Sequence, residues 1–251
     1  DWRLLVGFAF FLVPYNIAMY GINDVFDYES DIRNPRKGGI EGAVLPRNMH
    51  RPLLIASAVT VAPFAAILYA AGTWVSAAWL TLALAAVVAY SAPPLRLKEV
   101  PLVDSATSST HFTAPALVGA SLADASIEPR FALAAVAFFL WGMASHALGA
   151  VQDVEADRAG GLRSVATELG ARTTTRLAAA LYLIAALACF ALPATGWVVG
   201  LLGLGYVANT ARYWNVADAT SAGVNRAWRV FLWLNYVTGA VVTISVLFLA
   251  L

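Results

Sequence analysis

Two clusters of acidic side chains, each directly after a long apolar stretch, are the residues of this chain most able to do chemistry. The first cluster contains Asp24, Asp27 and Asp31, and the second contains Asp153 and Asp157. Carboxylates repel one another and are costly near hydrocarbon. A bound cation is therefore expected to neutralise them.

If helices continue through both clusters, each set of carboxylates lies on one helix face. At about 100° per residue, Asp27 and Asp31 fall about 60° and about 20° from Asp24. Asp153 and Asp157 stand four residues apart and share a face in the same way. Neither cluster contains His or Cys. Ligand sets made only of oxygen favour a hard cation, and Mg²⁺ fits best.

Polar and basic residues near both clusters are candidates to bind a phosphate ligand. Mg²⁺ usually keeps several waters and is completed by substrate phosphates, and Arg and Lys donate charge-assisted hydrogen bonds to phosphate oxygens. The candidates are Asn23, Arg36 and Lys37 near the first cluster, and Arg158 and Arg163 after the second. The sequence therefore predicts a diphosphate that metal bridges to the two sets of carboxylates.

Composition places the chain in a membrane. Of its 251 residues, 60% are hydrophobic and only 12% are charged, against roughly 25% charged in soluble domains.

A bilayer core of about 30 Å needs about 20 apolar residues per helix. Eight stretches qualify: 3–22, 51–71, 74–92, 103–122, 130–151, 172–192, 196–213 and 227–251. The predicted fold class is all-α, a polytopic membrane helix bundle of eight transmembrane helices in contact with membrane lipid. The net charge of +1 gives no indication of a nucleic-acid partner.

Positive charges are distributed unequally between the two sides that eight spans define. All of the 16 basic residues except Arg3 and Arg130 fall on the side that carries the acidic clusters. The positive-inside rule makes that side cytoplasmic. We therefore expect a protein integral to the cell membrane, with both aspartate clusters facing the cytoplasm.

Other interpretations of the clusters stay open. Acidic residues at the ends of membrane helices are often simply solvated. An EF-hand calcium loop is excluded, because the first cluster lacks the required Gly and the distal Glu. A cation or lipid transporter would place ionisable residues along a path at mid-membrane, and spans six to eight carry no acid there. A non-catalytic scaffold is a further alternative.

The motifs resemble those of the UbiA superfamily of membrane prenyltransferases. The first cluster reads N-D-x-x-D-x-x-x-D from Asn23 to Asp31, and the second reads D-x-x-x-D followed by R-A-G-G-L-R-S-V-A-T-E-L-G. A third similar element is Y-S-A-P-P-L-R-L-K at 90–98. The family usually has nine helices, with its first motif after the second helix. The resemblance therefore implies a single transmembrane prenyltransferase domain over residues 1–251, truncated at its N terminus by one helix.

Several segments look most like the bacterial lycopene elongases of long-chain carotenoid synthesis. These segments are 14–22, 34–39, 108–113 and 141–146. The resemblance implies an enzyme of the bacterial plasma membrane that transfers a prenyl group from an allylic diphosphate donor, dimethylallyl diphosphate, to lycopene, with Mg²⁺ as cofactor. A UbiA-type transfer to an aromatic acceptor, such as a quinone precursor, a porphyrin or chlorophyllide, is the alternative.

The resemblance also implies roles for individual residues. The residues that would bind the metal and act in catalysis are Asp24, Asp27, Asp31, Asp153 and Asp157. Arg96 and Lys98 are both candidates for the diphosphate, and the sequence does not decide between them.

Aromatic and polar residues within the spans are candidates for the acceptor pocket: Tyr15, Asn16, Tyr20, His111 and Trp141. Aromatic rings can shield a carbocation, although aromatic and amide side chains are also common in membrane interfaces and helix contacts. His146 stands seven residues before Asp153 and so faces the same side of its helix. It is a candidate catalytic proton acceptor for the final carbocation, with a helix–helix hydrogen bond as the alternative.

Overall fold

The computed structural model describes residues 1–32, 44–193 and 195–250, and every regular element in these ranges is helical. The α-helices are α1 (Trp2–Leu12), α2 (Pro14–Asp31), α3 (His50–Ala71), α4 (Trp74–Ser91), α5 (Val103–Leu122), α6 (Pro129–Val151), α7 (Val154–Ala159), α8 (Val165–Phe190), α9 (Gly196–Ala211) and α10 (Asn225–Ala250). Short 3₁₀ helices cover Arg47–Met49, Leu97–Glu99 and Asp218–Val224. The all-α prediction is confirmed.

The first predicted span is two helices instead of one. α1 ends at Leu12, and Pro14 begins α2, because proline has no backbone N–H with which to continue the helical ladder. The Asn16 side chain donates hydrogen bonds to the carbonyl oxygens of Phe11 at 2.8 Å and Leu12 at 3.1 Å. The Asn16 amide thus provides hydrogen-bond donors to backbone carbonyls at the end of α1, where the helical ladder is interrupted.

Six segments of the described chain are long and apolar enough to cross a bilayer: Trp2–Glu29, Arg47–Ala71, Trp74–Ser91, Pro129–Val151, Val165–Phe190 and Asp218–Ser245. The other two predicted spans are also helices but differ in character. α9 is apolar with only 16 residues. α5 has 20 residues, but its first turns carry polar side chains such as Asp104, Ser105 and Ser109, which are buried against protein.

The chain divides into two compact units. The first consists of Asp1–Lys98 and Thr110–Ile127, and the second of Glu99–Ser109 and Glu128–Leu251. In the first unit, the core lies among α1, α2, α3, α4 and the end of α5, and it includes Phe10, Tyr15, Leu68, Leu80, Val118 and Leu122. In the second unit, α8 packs against both α6 and α9, and the core includes Leu148, Val151, Tyr182, Tyr206 and Phe231.

Large apolar side chains also cover the outer surface. Leu5, Trp233 and Phe248 expose 70%, 73% and 76% of their area. Such exposure would be unfavourable in water but has no such cost against lipid tails, which are as apolar as the side chains. With the six apolar segments, this surface identifies an integral membrane protein.

Candidate active site

The first acidic motif occupies the last turns of α2. Because α2 remains helical through Asp31, the predicted arrangement of Asp24, Asp27 and Asp31 along one helix face is confirmed. Asp31 is buried, with 7% of its surface exposed. The Asn23 amide donates hydrogen bonds to Oδ2 of Asp27 at 2.8 Å and to Oγ of Ser91 at 2.9 Å, which ties the motif to the end of α4.

Two basic residues that follow α4 reach the end of α2. The Lys98 ammonium group forms an ion pair with Oδ1 of Asp27, and the two side chains expose only 12% and 13% of their area. The Arg96 guanidinium group donates to the carbonyl oxygen of Phe26 at 3.4 Å. The structure therefore brings both candidates to the first motif, and Lys98 contacts a motif carboxylate directly.

Near the end of α2, Glu29 and Tyr28 make contacts with the exposed side chain of Arg47. Glu29 pairs with Arg47, and both side chains are largely exposed. The Arg47 guanidinium group also lies over the Tyr28 ring, 5.4 Å from its centre. Arg36 and Lys37, which the sequence singles out for diphosphate binding, lie outside the described residues.

The second acidic motif is built differently from the prediction. α6 ends at Val151, the predicted end of this span, and Asp153 is the N-cap residue of the short helix α7, so one helix does not continue through this motif. The backbone N–H of Asp157 nevertheless donates to the carbonyl oxygen of Asp153 at 2.8 Å. The two aspartates thus keep their one-turn relation, now on α7.

Contacts from later in the chain hold the second motif in place. Nδ2 of Asn225 donates to Oε1 of Gln152 at 2.7 Å, at the junction of α6 and α7. Arg158 bonds the carbonyl oxygen of Thr167 through Nη2 at 2.7 Å and Oδ2 of Asp218 through Nη1 at 2.5 Å. Arg158 therefore connects α7 to the first turn of α8 and to the 3₁₀ helix before α10.

Asp218 also bonds the backbone where α8 is kinked. Gly170 has φ +78° and ψ +159°, and Oδ1 of Asp218 accepts the N–H of Ala171 at 2.7 Å. Arg163, the last basic candidate of this motif, pairs with Glu168 at 2.9 Å on an exposed surface. Surface pairs of this kind contribute little to stability.

Gly170 gives a direct test of this architecture. Its backbone conformation is essentially restricted to glycine, so Gly170→Ala should lower the free energy of unfolding by about 1–3 kcal/mol. Gly239→Ala is the matched control, since Gly239 lies in α10 with no atom near the position of an added Cβ. Thermal unfolding in detergent should show a loss for the first variant and no loss for the second. Equal effects would contradict the requirement for glycine at position 170.

The donor atoms of both motifs fit a hard cation. Within the described ranges, no point is surrounded by three or more His, Cys, Asp or Glu side chains. Mg²⁺ does not need such a cage, because one or two carboxylates usually hold it while waters and substrate phosphates complete its shell. The motif carboxylates offer only oxygen, which suits this mode of binding.

Two residues predicted for the acceptor pocket meet in the first unit. The Tyr15 hydroxyl lies 2.9 Å from Nδ1 of His111, and it donates to the carbonyl oxygen of Ala83 at 3.4 Å. The Tyr90 ring packs edge-on against His111 with 5.7 Å between ring centres. Both Tyr15 and His111 are buried.

Asn16 and Tyr20 do not join the pair of Tyr15 and His111. Asn16 borders an apolar recess of about 420 Å³ whose lining includes Phe8, Phe11, Val118 and Leu122. Tyr20 exposes 62% of its area and faces outward from α2.

Trp141 belongs to an aromatic cluster in the second unit. Its ring lies 5.5 Å from Phe138, 5.9 Å from Phe231 and 6.0 Å from Tyr206, measured between ring centres. Trp141 thus contributes to packing among α6, α9 and α10.

His146 is part of a polar network that the sequence does not reveal. Its Nδ1 lies 3.0 Å from Oγ of Ser105, so the helix–helix hydrogen bond left open above is present. Ser105 in turn contacts Asp104, which is fully buried. An aspartate in the first turn of a helix inside a membrane protein is a signal that could have marked this network, because such residues are rare unless they are paired or functional.

Comparison with known proteins places the chain in a family. The profile of the UbiA prenyltransferase family matches residues 1–237. A lycopene elongase/hydratase of Corynebacterium glutamicum is 59% identical over 244 residues, which cover 97% of this chain and 85% of the relative.

Solved structures share the fold. A UbiA homologue from Aeropyrum pernix K1 in its apo form has a TM-score of 0.68 at 19% identity, with 97% of this chain and 90% of that chain covered. A UbiA homologue from Archaeoglobus fulgidus bound to DMAPP and Mg²⁺ has a TM-score of 0.59 at 20% identity, with 94% and 86% covered. The family match and the 59% identical relative together show that this chain belongs to the UbiA prenyltransferase family and is a membrane prenyltransferase.

Proposed function

We propose that this prenyltransferase transfers a dimethylallyl group from dimethylallyl diphosphate to a terminal double bond of lycopene in a Mg²⁺-dependent reaction. The observation that carries the proposal is the row of carboxylates on the last turns of α2, with Lys98 paired to Asp27. The names of the similar proteins support the choice of substrates. The C. glutamicum relative is a lycopene elongase/hydratase, and the A. fulgidus homologue binds DMAPP and Mg²⁺.

The carboxylates of both motifs are the proposed metal ligands. Asp24, Asp27 and Asp31 would hold Mg²⁺ at the first motif, and Asp153 and Asp157 at the second. When bound, the ion neutralises diphosphate oxygens and stabilises the negative charge that develops on the leaving group.

Lys98 places a positive charge beside the carboxylates before the donor binds. Its ammonium group has three N–H donors, so it can keep its contact with Asp27 and also bond a diphosphate oxygen. Arg96 lies at the same end of α2 and is the second proposed diphosphate ligand at this motif. The remaining candidates are Asn23, Arg36, Lys37, Arg158 and Arg163.

The proposed reaction begins with ionisation of the allylic diphosphate and ends with neutralisation of a carbocation on the acceptor. The C–O bond of the donor breaks, and its electron pair leaves with the diphosphate. The π electrons of the terminal double bond of lycopene then form the new C–C bond, which leaves a tertiary cation on the acceptor. Loss of a neighbouring proton gives an alkene, and capture of water followed by loss of a proton from its oxygen gives an alcohol. His146 is the proposed proton acceptor, and Tyr15, Asn16, Tyr20, His111 and Trp141 are the proposed acceptor-pocket residues.

The location of the site is also a proposal. Most basic residues share the side of the acidic motifs, and the positive-inside rule then orients both motifs toward the cytoplasm of a bacterial cell. A water-soluble donor would approach from that side, while lycopene would enter from lipid.

Expression in a lycopene-producing host tests the substrates. We expect a carotenoid heavier than lycopene by one or two isoprene units, detected by mass spectrometry of the extracted pigments. Membranes supplied with dimethylallyl diphosphate should consume it only when Mg²⁺ is present. Unchanged lycopene, together with prenylation of an added quinone precursor, would assign the enzyme to an aromatic acceptor instead.

A further inference from the structure

A relay of three side chains, the buried Asp104 and Ser105 and the partly buried His146, connects the start of α5 to α6. Oδ1 of Asp104 accepts hydrogen bonds from the Ser105 backbone N–H at 2.6 Å and from the Ser105 hydroxyl at 3.1 Å. Its other oxygen accepts the N–H of Val165, the first residue of α8, at 2.6 Å. The Ser105 hydroxyl also contacts Nδ1 of His146 at 3.0 Å.

The direction of these hydrogen bonds follows from the single hydrogen of the Ser105 hydroxyl. That hydrogen can go either to Asp104 or to His146, but not to both. A bond to an ionised acceptor is stronger than one between neutral groups, and a fully buried carboxylate needs all the donors it can reach. The hydroxyl therefore donates to Asp104, and its oxygen accepts a hydrogen from Nδ1 of His146.

This direction fixes the chemistry of the imidazole ring. With the hydrogen on Nδ1, the lone pair of the ring is on Nε2, which is the nitrogen that can take up a proton. When Nε2 is protonated, the ring becomes a cation, and the Asp104 carboxylate stabilises it through Ser105. The arrangement resembles the way in which other general bases are oriented by a second hydrogen-bonded group.

We infer that Asp104 and Ser105 are positioning residues that hold His146 as a base through Nε2, and that this base directs the final carbocation toward the alkene. The inference about the alkene rests on the proposed function. In this step, the C–H electron pair next to the cationic carbon becomes the new π bond, and the proton moves to Nε2 of His146. The resulting imidazolium later returns the proton to water.

The tautomer of His146 tests the relay without any assumption about activity. Protein labelled with ¹⁵N-histidine in lipid nanodiscs contains three histidines, and His146→Gln identifies the signal of interest. We expect the Nδ1–H tautomer in the wild-type protein and in Ser105→Thr, which keeps the hydroxyl. Ser105→Ala should shift the ring toward the Nε2–H tautomer. An Nε2–H ring or an imidazolium in the wild-type protein would overturn the relay.

The product ratio tests the role in the reaction. Ser105→Ala removes only the hydroxyl and leaves both backbone N–H bonds of Asp104, so the anchor at α8 is retained. With dimethylallyl diphosphate and lycopene in nanodiscs, it should lower the ratio of alkene to alcohol product about tenfold, since a poorly oriented base loses part of its contribution. Ser105→Thr should keep the wild-type ratio, and KM for the donor should not change in either variant.

The outcomes separate the relay from the proposed function. A shifted tautomer with an unchanged product ratio in Ser105→Ala would overturn the role of His146 as the base. If wild-type nanodiscs do not prenylate lycopene at all, the proposed function fails, and the tautomer experiment still decides whether the relay exists.

Discussion

Asp24→Asn should lower the rate of prenyl transfer on the order of 10²–10³-fold, the range seen when one group that stabilises transition-state charge is removed. The substitution keeps the size of the side chain but replaces an anionic ligand with a neutral amide. The Mg²⁺ concentration that gives half-maximal activity should rise at the same time. Both quantities are measured by release of diphosphate from radiolabelled donor at a series of Mg²⁺ concentrations.

Glu29→Gln is the matched control on the same helix. Glu29 lies about 140° around α2 from Asp24, and its side chain is exposed and paired with Arg47. It should retain activity within about twofold, because exposed pairs contribute little. At the second motif, Asp153→Asn and the exposed Glu155→Gln form the corresponding pair. A non-catalytic scaffold or a transporter would show no difference in prenyl transfer between the members of either pair.

Lys98→Met should destabilise the protein by about 3–5 kcal/mol, the cost of leaving one charge of a buried pair without its partner. The Lys98 and Asp27 side chains expose 12% and 13% of their area, so water compensates poorly for loss of the cation beside the Asp27 carboxylate. Prenyl transfer should also fall at least about tenfold, because a charge-assisted bond to the diphosphate is lost. Thermal unfolding in detergent and the donor-release assay measure the two effects.

A double variant separates stability from catalysis. Lys98→Met combined with Asp27→Asn removes both charges and should restore most of the lost stability, while activity stays low because a metal ligand is also missing. Arg47→Met is the control for loss of an exposed pair and of its contact with the Tyr28 ring, and it should change stability by no more than about 1 kcal/mol. If the double variant were no more stable than Lys98→Met alone, the ion pair would not be the source of the effect.

The sequence was sufficient for most of the long helices and for the first motif, although it did not show the break before Pro14 or the short helix α7. Apolar stretches of bilayer length predict helices because the backbone must satisfy its own hydrogen bonds in lipid. Helical periodicity then places Asp24, Asp27 and Asp31 on one face, since α2 continues to Asp31. The spacing of the three aspartates was enough to predict their shared helix face.

The second motif shows where the same reasoning stops. Periodicity gave the relation of Asp153 to Asp157, and the apolar stretch 130–151 gave the end of α6 at Val151, but neither showed the turn that separates α6 from the short helix α7. Asn225 and Asp218 bond Gln152 and Arg158 at this turn, and these partners are separated by 73 and 60 positions in the chain. Local propensity carries no information about such distant partners. The same is true of Asp104 and Ser105, whose partners Val165 and His146 lie on other helices.

The residues that hydrogen-bond the second motif from outside α7 are synthesised late. Asp153 and Asp157 emerge well before Asp218 and Asn225, which hold Arg158 and Gln152 in the finished protein. A nascent polypeptide stopped short of Asp218 would carry every proposed metal ligand but would lack the hydrogen bonds that Asp218 and Asn225 make to Arg158 and Gln152. We therefore expect the second motif to reach its final arrangement only after the 3₁₀ helix that carries Asp218 and the start of α10 have been synthesised.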